Sequence, residues 1–282
     1  MAGVGSPSTI CFGSPTMTLP PYQVSAFNSA KASENKIHDD ATARRFGFKG
    51  ALVGGVHVYA YMSHKPVLKW GREWLEHGTG EAKFGKPVYE GDIAEITAME
   101  DSNGMEIAVN SVGVLCATGR AGMPVTAIAA PSLSDFAAVA PRANRVAADE
   151  KSMAVGDWLG MNPMTVTQEY QTQDIADTRE TLGLYLQEGI VHTGTILRCC
   201  NWALTHNVIL PAWMHMGSQV QNLGLARVGD TLNVRARITK NYEHKGHKWV
   251  EIDALVVANE VSPVARVTHI AIYRPRQLAE AA

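Results

Sequence analysis

The sequence is poor in the features that mark several large classes of protein. Only four of its 282 residues are cysteine, and no two of them have the spacing Cys-x-x-Cys. Adjacent cysteines rarely bridge one another for geometric reasons, so Cys199 and Cys200 indicate reduced thiols in a cytoplasmic protein. No apolar run reaches the ~18 residues of a membrane-spanning helix, and the N-terminus lacks the basic start and apolar core of a secretory signal.

Charge is also scarce and balanced. There are 25 Lys and Arg residues against 27 Asp and Glu, with a formal net charge of −2. A nucleic-acid groove or an anionic membrane surface needs clustered basic residues, so both partners are disfavoured. Dinucleotide-binding, nucleophile-elbow and metal-ligand spacings are missing as well, and we expect no cofactor and no metal.

What the sequence contains is a repeated order of elements. Two long apolar segments, 52–70 and 190–206, are each followed by strand patterns. The predicted strands after the first segment are 80–88, 92–99 and 105–117, and those after the second are 212–221, 231–240, 248–258 and 264–273. A further strand at 164–170 and a short helix at 174–182 precede the second segment. Pro66 is expected to end or kink the first helix.

One offset relates the two halves. Gly91 and Gly229 occupy similar turn sequences 138 residues apart, and the same offset brings 52–56 onto 190–194. A helix that is apolar nearly all round, followed by antiparallel strands, predicts a sheet wrapped around a helix in each half. The predicted organisation is a flexible segment 1–20, a first module 21–120, an Ala- and Pro-rich linker 121–150 and a second module 151–282. The alternative is one α+β domain with coincidental turns.

A short motif precedes the first long helix. The stretch 33–40 resembles the signature of MaoC-like (R)-specific enoyl-CoA hydratases, and the likeness covers residues 20–118 well and the second half in general shape. The matching residues are Asn35, Ile37, His38, Asp40, Ala43, Gly47, Phe48 and Gly55. The resemblance implies an α+β double hotdog, in which two long central helices are wrapped by a continuous antiparallel sheet. It also implies a hydratase or dehydratase (a lyase) of fatty acid metabolism, acting on an acyl-CoA or acyl-carrier-protein thioester.

The resemblance assigns catalytic roles. His38 is the predicted general acid/base, because an imidazole with a pKa near ~6.5 both takes and gives protons at neutral pH. Asn35 positions water, and the Gly55 N–H at the helix start stabilises the thioester enolate. Ser33 stands where the family has its catalytic Asp and cannot act as a carboxylate base. Of the nearby carboxylates Glu34, Asp39 and Asp40, the favoured substitute is Glu34, and the other two stay open.

Five further residues are candidates for substrate binding, and two of them also have a structural explanation. Asp40 could instead favour the positive end of the following helix, and His57 could be a satisfied core histidine. For Asn35 and Gly55 the alternatives are an Asx-turn and close helix packing. The candidates are Ser33, Asp40, Gly54, His57 and His192.

The second half is predicted to lack chemistry of its own. The 138-residue offset places Ala176 opposite His38, so we expect one active site, in the N-terminal half. Residues 213–216 suit a wall of the acyl tunnel, and ordinary core packing explains them equally well. Two other functions stay open on the same fold: an acyl-CoA thioesterase that uses Glu34, and a non-catalytic acyl-thioester binding protein. Association into a homodimer is also left open.

Overall fold

The computed structural model describes residues 18–279. Its main feature is one antiparallel sheet of eleven strands, joined side by side in the order β1-β3-β4-β5-β2-β10-β13-β12-β11-β7, with β8 also paired to β11. The strands are β1 (Thr18–Ser25), β2 (Thr79–Phe84), β3 (Ile93–Asp101), β4 (Gly104–Ser111), β5 (Val114–Gly122), β6 (Val146–Ala147), β7 (Trp158–Leu159), β8 (Met164–Thr165), β9 (Val208–Ile209), β10 (Met214–Asn222), β11 (Thr231–His244), β12 (His247–Ala258) and β13 (Ser262–Arg274). Strands β6 and β9 form a separate parallel pair.

Two buried helices lie against this sheet. The helices are α1 (Asp40–Arg45), α2 (Gly55–Trp70), α3 (Arg72–His77), α4 (Gln168–Thr178), α5 (Leu184–Gln187), α6 (Thr193–Thr205) and α7 (Arg276–Ala279), with short 3-10 helices at Lys36–His38 and Leu133–Asp135. Helices α2 and α6 pack directly on one another. At Gly194 of α6 a Cβ atom would lie only 3.2 Å from the Cβ of Ala60, so the glycine permits this close approach.

The predicted duplication is visible in backbone contacts. An isolated β-bridge joins Leu52 to Tyr89, and another joins Ile190 to Arg227. Each residue of the second bridge lies 138 positions after its counterpart in the first, and α2 and α6 also begin 138 residues apart. The offset read from the sequence therefore describes the register of the two halves.

The continuous sheet expected from the sequence is confirmed. Strand β2 of the first half pairs with β10 of the second, from Thr79 opposite Gln221 to Lys83 opposite Gly217. This junction gives both strands a partner on each side. An open sheet edge would otherwise present unpaired backbone groups at the middle of the molecule.

Three predicted strands differ from the structure. The strand expected at 80–88 ends at Phe84. The single strand expected at 105–117 is two strands, because a two-residue turn at Val112 and Gly113 reverses the chain. The strand expected at 164–170 is limited to β8, because the Thr167 side chain accepts the N–H of Tyr170 at 3.1 Å and starts α4. Residues Ser, Thr, Asp and Asn favour helix starts for this reason.

Four further expectations concern Pro66, the N-terminal segment, the cysteines and membrane-spanning helices. Pro66 does not end α2, which continues to Trp70. Residues 1–17 of the predicted flexible segment lie outside the described residues, and 18–20 belong to β1. Cys116, Cys199 and Cys200 are buried free thiols. No helix in the range 18–279 is both long enough and apolar enough to cross a membrane.

The Val112–Gly113 turn generates a stability prediction. Both residues have positive φ, 50° and 74°, which is the geometry of a type I′ turn and favours Asn-Gly. A β-branched side chain is strained there. We expect Val112→Asn to raise the free energy of unfolding by about 1 kcal/mol, measured by urea denaturation.

The matched control for this change is Val114→Asn. Val114 is half-exposed in the adjacent strand and has no positive φ to relieve. A gain of similar size in both variants would attribute the effect to surface polarity and contradict the turn argument.

Candidate active site

An asparagine amide links the two halves of the chain at the predicted motif. The Asn35 Oδ1 accepts the backbone N–H of Trp213 at 3.2 Å, and its Nδ2 donates to the carbonyl of the same residue at 3.0 Å. Because an N–H only donates and a carbonyl only accepts, this pair of bonds fixes which end of the amide is oxygen. Asn35 also caps the Lys36–His38 turn by accepting from Ile37 N–H, so its alternative role as an Asx-turn residue is fulfilled at the same time.

His38 lies next to this amide with a defined tautomer. Its Nδ1 is 2.7 Å from the carbonyl oxygen of Leu52, so Nδ1 carries the proton. In the neutral ring Nε2 is then an acceptor, and Asn35 Nδ2 lies 3.3 Å from it. Burial lowers the pKa of His38, and the bond to the Leu52 carbonyl opposes this only in part. The side chain is therefore a neutral base at pH 7.

The start of α2 supplies hydrogen-bond donors. Gly54 is its N-cap residue and has no side chain to cap the helix. Within the described chain the N–H groups of Gly55 and Val56 have no hydrogen-bond partner. Free donors at the positive end of a helix favour negative charge.

These groups line one cleft of about 180 Å³ between the halves. The N-terminal half contributes the motif, the helix start and strand β2 with the loop that follows it. The C-terminal half contributes one residue of α6 and the start of β10. The lining consists of Asn35, Ile37, His38, Phe48, 52–55, Val58, 84–88, Asn201 and 213–216.

The corresponding space in the second half is nearly filled. A cavity of about 20 Å³ is lined by residues that include Ile190, Val191 and Thr193, the counterparts of Leu52, Val53 and Gly55. At its helix start His192 accepts the N–H of Gly194 through Nδ1 at 3.2 Å. The N–H groups at the start of α2 are uncapped because Gly54 has no side chain. At the start of α6, the His192 side chain caps one of the equivalent N–H groups.

The counterpart of His38 is a glutamine. Gln171 donates through Nε2 to the carbonyl of Ile190, just as His38 donates to the carbonyl of Leu52. The constant offset had pointed to Ala176 instead. It fails here because Gln171 lies farther before the start of α6 than His38 lies before the start of α2. A glutamine amide does not titrate, so the second half has no base at this position.

The structure brings together four of the nine predicted site residues: Asn35, His38, Gly54 and Gly55 all line the cleft. Glu34 does not join them. Its side chain is 70% exposed and pairs with Arg145 at 2.7 Å, and this hydrogen bond holds the pKa of the Glu34 carboxyl below its usual value.

The remaining predicted residues do not line the cleft, and each has a structural partner. Ser33 bonds the carbonyl of Asn35 at 3.4 Å, and Asp40 accepts the N–H of Ala51 at 2.7 Å. His57 is buried 2.9 Å from an Arg198 nitrogen, and burial lowers its pKa to about 4. His192 is buried as the helix cap described above. The alternative of a satisfied core histidine therefore describes His57.

No residue among those lining the cleft carries a carboxylate. Of its titratable members, Lys86 is exposed at the rim, and burial lowers the pKa of His215 to about 3. The Nε2 of His215 lies 3.1 Å from the carbonyl of Gly217. His38 is thus the lining group suited to proton transfer near neutral pH.

Sequence reasoning missed Asn201. It is a polar residue within an otherwise largely apolar run of α6, and that contrast was the available signal. The wall 213–216 was anticipated from its sequence, and all four of its residues line the cleft.

Solved structures share this architecture. A Chloroflexus aurantiacus protein described as a MaoC domain dehydratase is 13% identical, with a TM-score of 0.60 over 94% of this chain and 96% of its own. A MaoC-like dehydratase is 10% identical, with a TM-score of 0.61 over 90% and 98%. A conserved Mycobacterium tuberculosis protein with a double hotdog fold is 15% identical, with a TM-score of 0.58 over 92% and 96%.

The chain is therefore a double hotdog protein, with the fold that these MaoC-like dehydratases have. No protein-family profile and no curated protein matches the sequence.

Removing the Asn35 amide should destabilise the chain. Asn35→Ala would leave the buried N–H and carbonyl of Trp213 without their partner, at a cost of about 2–3 kcal/mol. Chemical denaturation followed by tryptophan fluorescence measures it. Asn233→Ala is the control, because that amide bonds Glu260 near the surface at 2.8 Å. Equal losses in the two variants would contradict a bridging role for Asn35.

Proposed function

We propose that the protein is a hydro-lyase, which adds water to an enoyl thioester or removes it from a hydroxyacyl thioester. The observation that carries the proposal is the neutral His38, whose unprotonated Nε2 lies in one cleft with the uncapped start of α2. A base and a set of oxyanion donors on one cleft are what the reaction requires. An acyl-CoA or acyl-carrier-protein thioester is the proposed substrate, and the one active site is in the N-terminal half.

The reaction needs a single titrating group. Water donates a proton to His38 Nε2 while its oxygen bonds to the β-carbon, and the electron pair of the double bond moves through the thioester to its carbonyl oxygen. The Gly55 N–H, at the positive end of α2, stabilises this enolate oxygen. The imidazolium then returns the proton to the α-carbon and the carbonyl re-forms, so one molecule of water has been added.

Asn35 supports this chemistry by position. Its amide is fixed by Trp213 and lies 3.3 Å from His38 Nε2, where it orients both the ring and a water molecule held by the ring. A carboxylate is not needed to select the tautomer, because the Leu52 carbonyl performs that task at Nδ1. This is how the site tolerates serine at position 33.

The thioesterase alternative loses the group on which it depended. It required a carboxylate in the cleft, and Glu34 instead pairs with Arg145 at the surface. A non-catalytic binding protein is the remaining alternative, and it predicts acyl-thioester binding without turnover.

Replacing His38 tests the proposal directly. We expect His38→Ala to lower kcat/KM for enoyl-CoA hydration by about 10²–10⁴-fold, since that is what a general base contributes. The loss of the conjugated enoyl-thioester absorbance measures the rate. His77→Ala, at an exposed histidine, is the matched control and should leave the rate unchanged.

The pH profile of the intact chain supplies a second readout of the same group. The base acts in its neutral form, which dominates above its pKa, and burial lowers that pKa. Hydration should therefore be constant near neutral pH and fall only at pH values below the ordinary histidine pKa of ~6.5. Rates that are equal in the intact chain and His38→Ala would refute the proposal.

The uncapped helix start gives a separate prediction. A Cβ at Gly54 would meet only His38 Cε1, at 3.8 Å, so serine fits there. Gly54→Ser would offer its hydroxyl to the free N–H groups of α2 and should lower kcat/KM at least ~10-fold, since it competes with the enolate for donors. Stability should change by only a few tenths of a kcal/mol.

Thermal unfolding and hydration rates measured on the same Gly54→Ser preparation separate the two effects. Gly50→Ser in the loop before α2 is not a suitable control, because a Cβ there would lie 2.9 Å from Asp40. Gly91→Ser changes a turn glycine with open space around it but with a φ of +82°, so it should lower the stability and keep the hydration rate. Full activity in Gly54→Ser would argue against the helix start as the oxyanion site.

A further inference from the structure

The wall that the C-terminal half contributes to the cleft has polar atoms without partners. Its three polar side chains are Asn201, Trp213 and His215, and we call them the polar wall. Each has one buried polar atom with no hydrogen-bond partner in the part of the chain that the structure describes: Oδ1 of Asn201, Nε1 of Trp213 and Nδ1 of His215. On the opposite wall the side chains of Asn35 and His38 are both hydrogen-bonded. The unpaired atoms therefore belong to one wall.

The inner edge of the His215 ring is fixed by the strand that carries it. Its Nε2 lies 3.1 Å from the carbonyl oxygen of Gly217 and 2.9 Å from Oγ of Ser218. Because a carbonyl only accepts, Nε2 carries the proton and Nδ1 is an acceptor. Burial lowers the pKa of His215 to about 3, so the ring is neutral at pH 7 and Nδ1 keeps its lone pair.

The outer edge of the same ring lies at the cleft. A Cβ atom at Gly55 would be only 2.8 Å from His215 Nδ1, and the ring of Phe84 packs edge-to-face on His215 with 4.8 Å between the ring centroids. Gly55 and Phe84 both line the cleft. The unpaired acceptor thus lies close to the helix start at which we place the thioester.

An unsubstituted alkyl chain would give these atoms no partner. Methylene groups neither donate nor accept hydrogen bonds, so an alkyl acyl group in the cleft would exclude water and leave the three atoms unpaired, which is unfavourable. A hydroxyl group has the complementary chemistry. Its O–H donates to an acceptor such as His215 Nδ1 or Asn201 Oδ1, and its oxygen accepts from an N–H such as Trp213 Nε1.

We propose that the polar wall is a specificity site for a hydroxyl group on the acyl chain, and that the substrate is a hydroxylated acyl thioester. The inference rests on the proposed function for the thioester itself. The reacting oxygen belongs at His38 on the opposite wall, so the hydroxyl bound here is a second one, beyond the reacting carbons. A site that hydrogen-bonds a substrate hydroxyl rejects the analogue without it far more strongly than an apolar pocket rejects a shorter chain.

Titration calorimetry with saturated thioesters tests the proposal without turnover. The probes are hexanoyl-CoA and three derivatives that carry one hydroxyl, on the fourth, fifth or sixth carbon of the acyl chain. The amides of the carrier arm have the same hydrogen-bonding chemistry, but that arm is identical in all four probes. We expect at least one hydroxylated probe to bind the intact chain ~10-fold or more tightly than hexanoyl-CoA. If none of the three binds more tightly, the proposal is overturned.

Variants assign the preference to the polar wall. His215→Phe keeps an aromatic ring against Phe84 and removes the acceptor, so it should lose the preference and still bind hexanoyl-CoA. The matched control is His269→Phe. His269 stacks on His215 with 4.1 Å between ring centroids, and its Nδ1 is 3.0 Å from Ser218 Oγ, but it does not line the cleft. That variant should keep the preference. If His215→Phe unfolds early in thermal melting, Asn201→Leu decides, because it removes the other acceptor of the wall and should reduce the preference.

Each further outcome bears on one claim. A preference of equal size in the intact chain, His215→Phe and Asn201→Leu would overturn the role of the wall, as would an equal loss in both histidine variants. Weaker binding of all four probes to the wall variants, with the preference unchanged, would identify an amide of the carrier arm as the partner and overturn the proposal. A hydroxyl preference in a chain that hydrates no enoyl-CoA, hydroxylated or not, would refute the hydratase proposal and retain the polar wall.

Discussion

The paired hydrogen bonds between the Asn35 amide and the backbone of Trp213 are the constraint on which the site depends. They connect the motif that precedes α2 to the start of β10, two segments that lie 178 residues apart in the chain. The same amide lies against His38, so the position of the base is set by the other half of the molecule. The cleft exists because this connection holds its two walls together while the helix start between them stays uncapped.

Duplication of the hotdog made two equivalent spaces, and a few substitutions made them unequal. Gly54 corresponds to His192, Gly55 to Thr193, and His38 corresponds by contact to Gln171. The second half has side chains where the first has glycine, and they occupy one of the helix-start N–H groups and most of the volume. What remains is about 20 Å³ against about 180 Å³. One half therefore retains a cleft, and the other contributes a wall to it.

Much of the fold could be predicted because its signals are local and periodic. The apolar helices and the 138-residue offset were both readable, and the bridges at Leu52 and Ile190 repeat that offset. The errors occurred where a short-range interaction overrides a pattern. The Thr167 cap starts a helix where a strand was expected, and the Val112–Gly113 turn divides the strand expected at 105–117.

By itself the sequence determined the double hotdog, the motif around His38 and the glycine start of α2, since these depend on residue types at fixed spacings. Only the tertiary structure decided whether a carboxylate accompanies His38. No residue that lines the cleft carries a carboxylate. The predicted Glu34 pairs with Arg145 instead. It likewise brought Asn201 and Trp213 to the cleft. Contacts across more than 100 residues are set by how the two modules pack, and no local pattern encodes them.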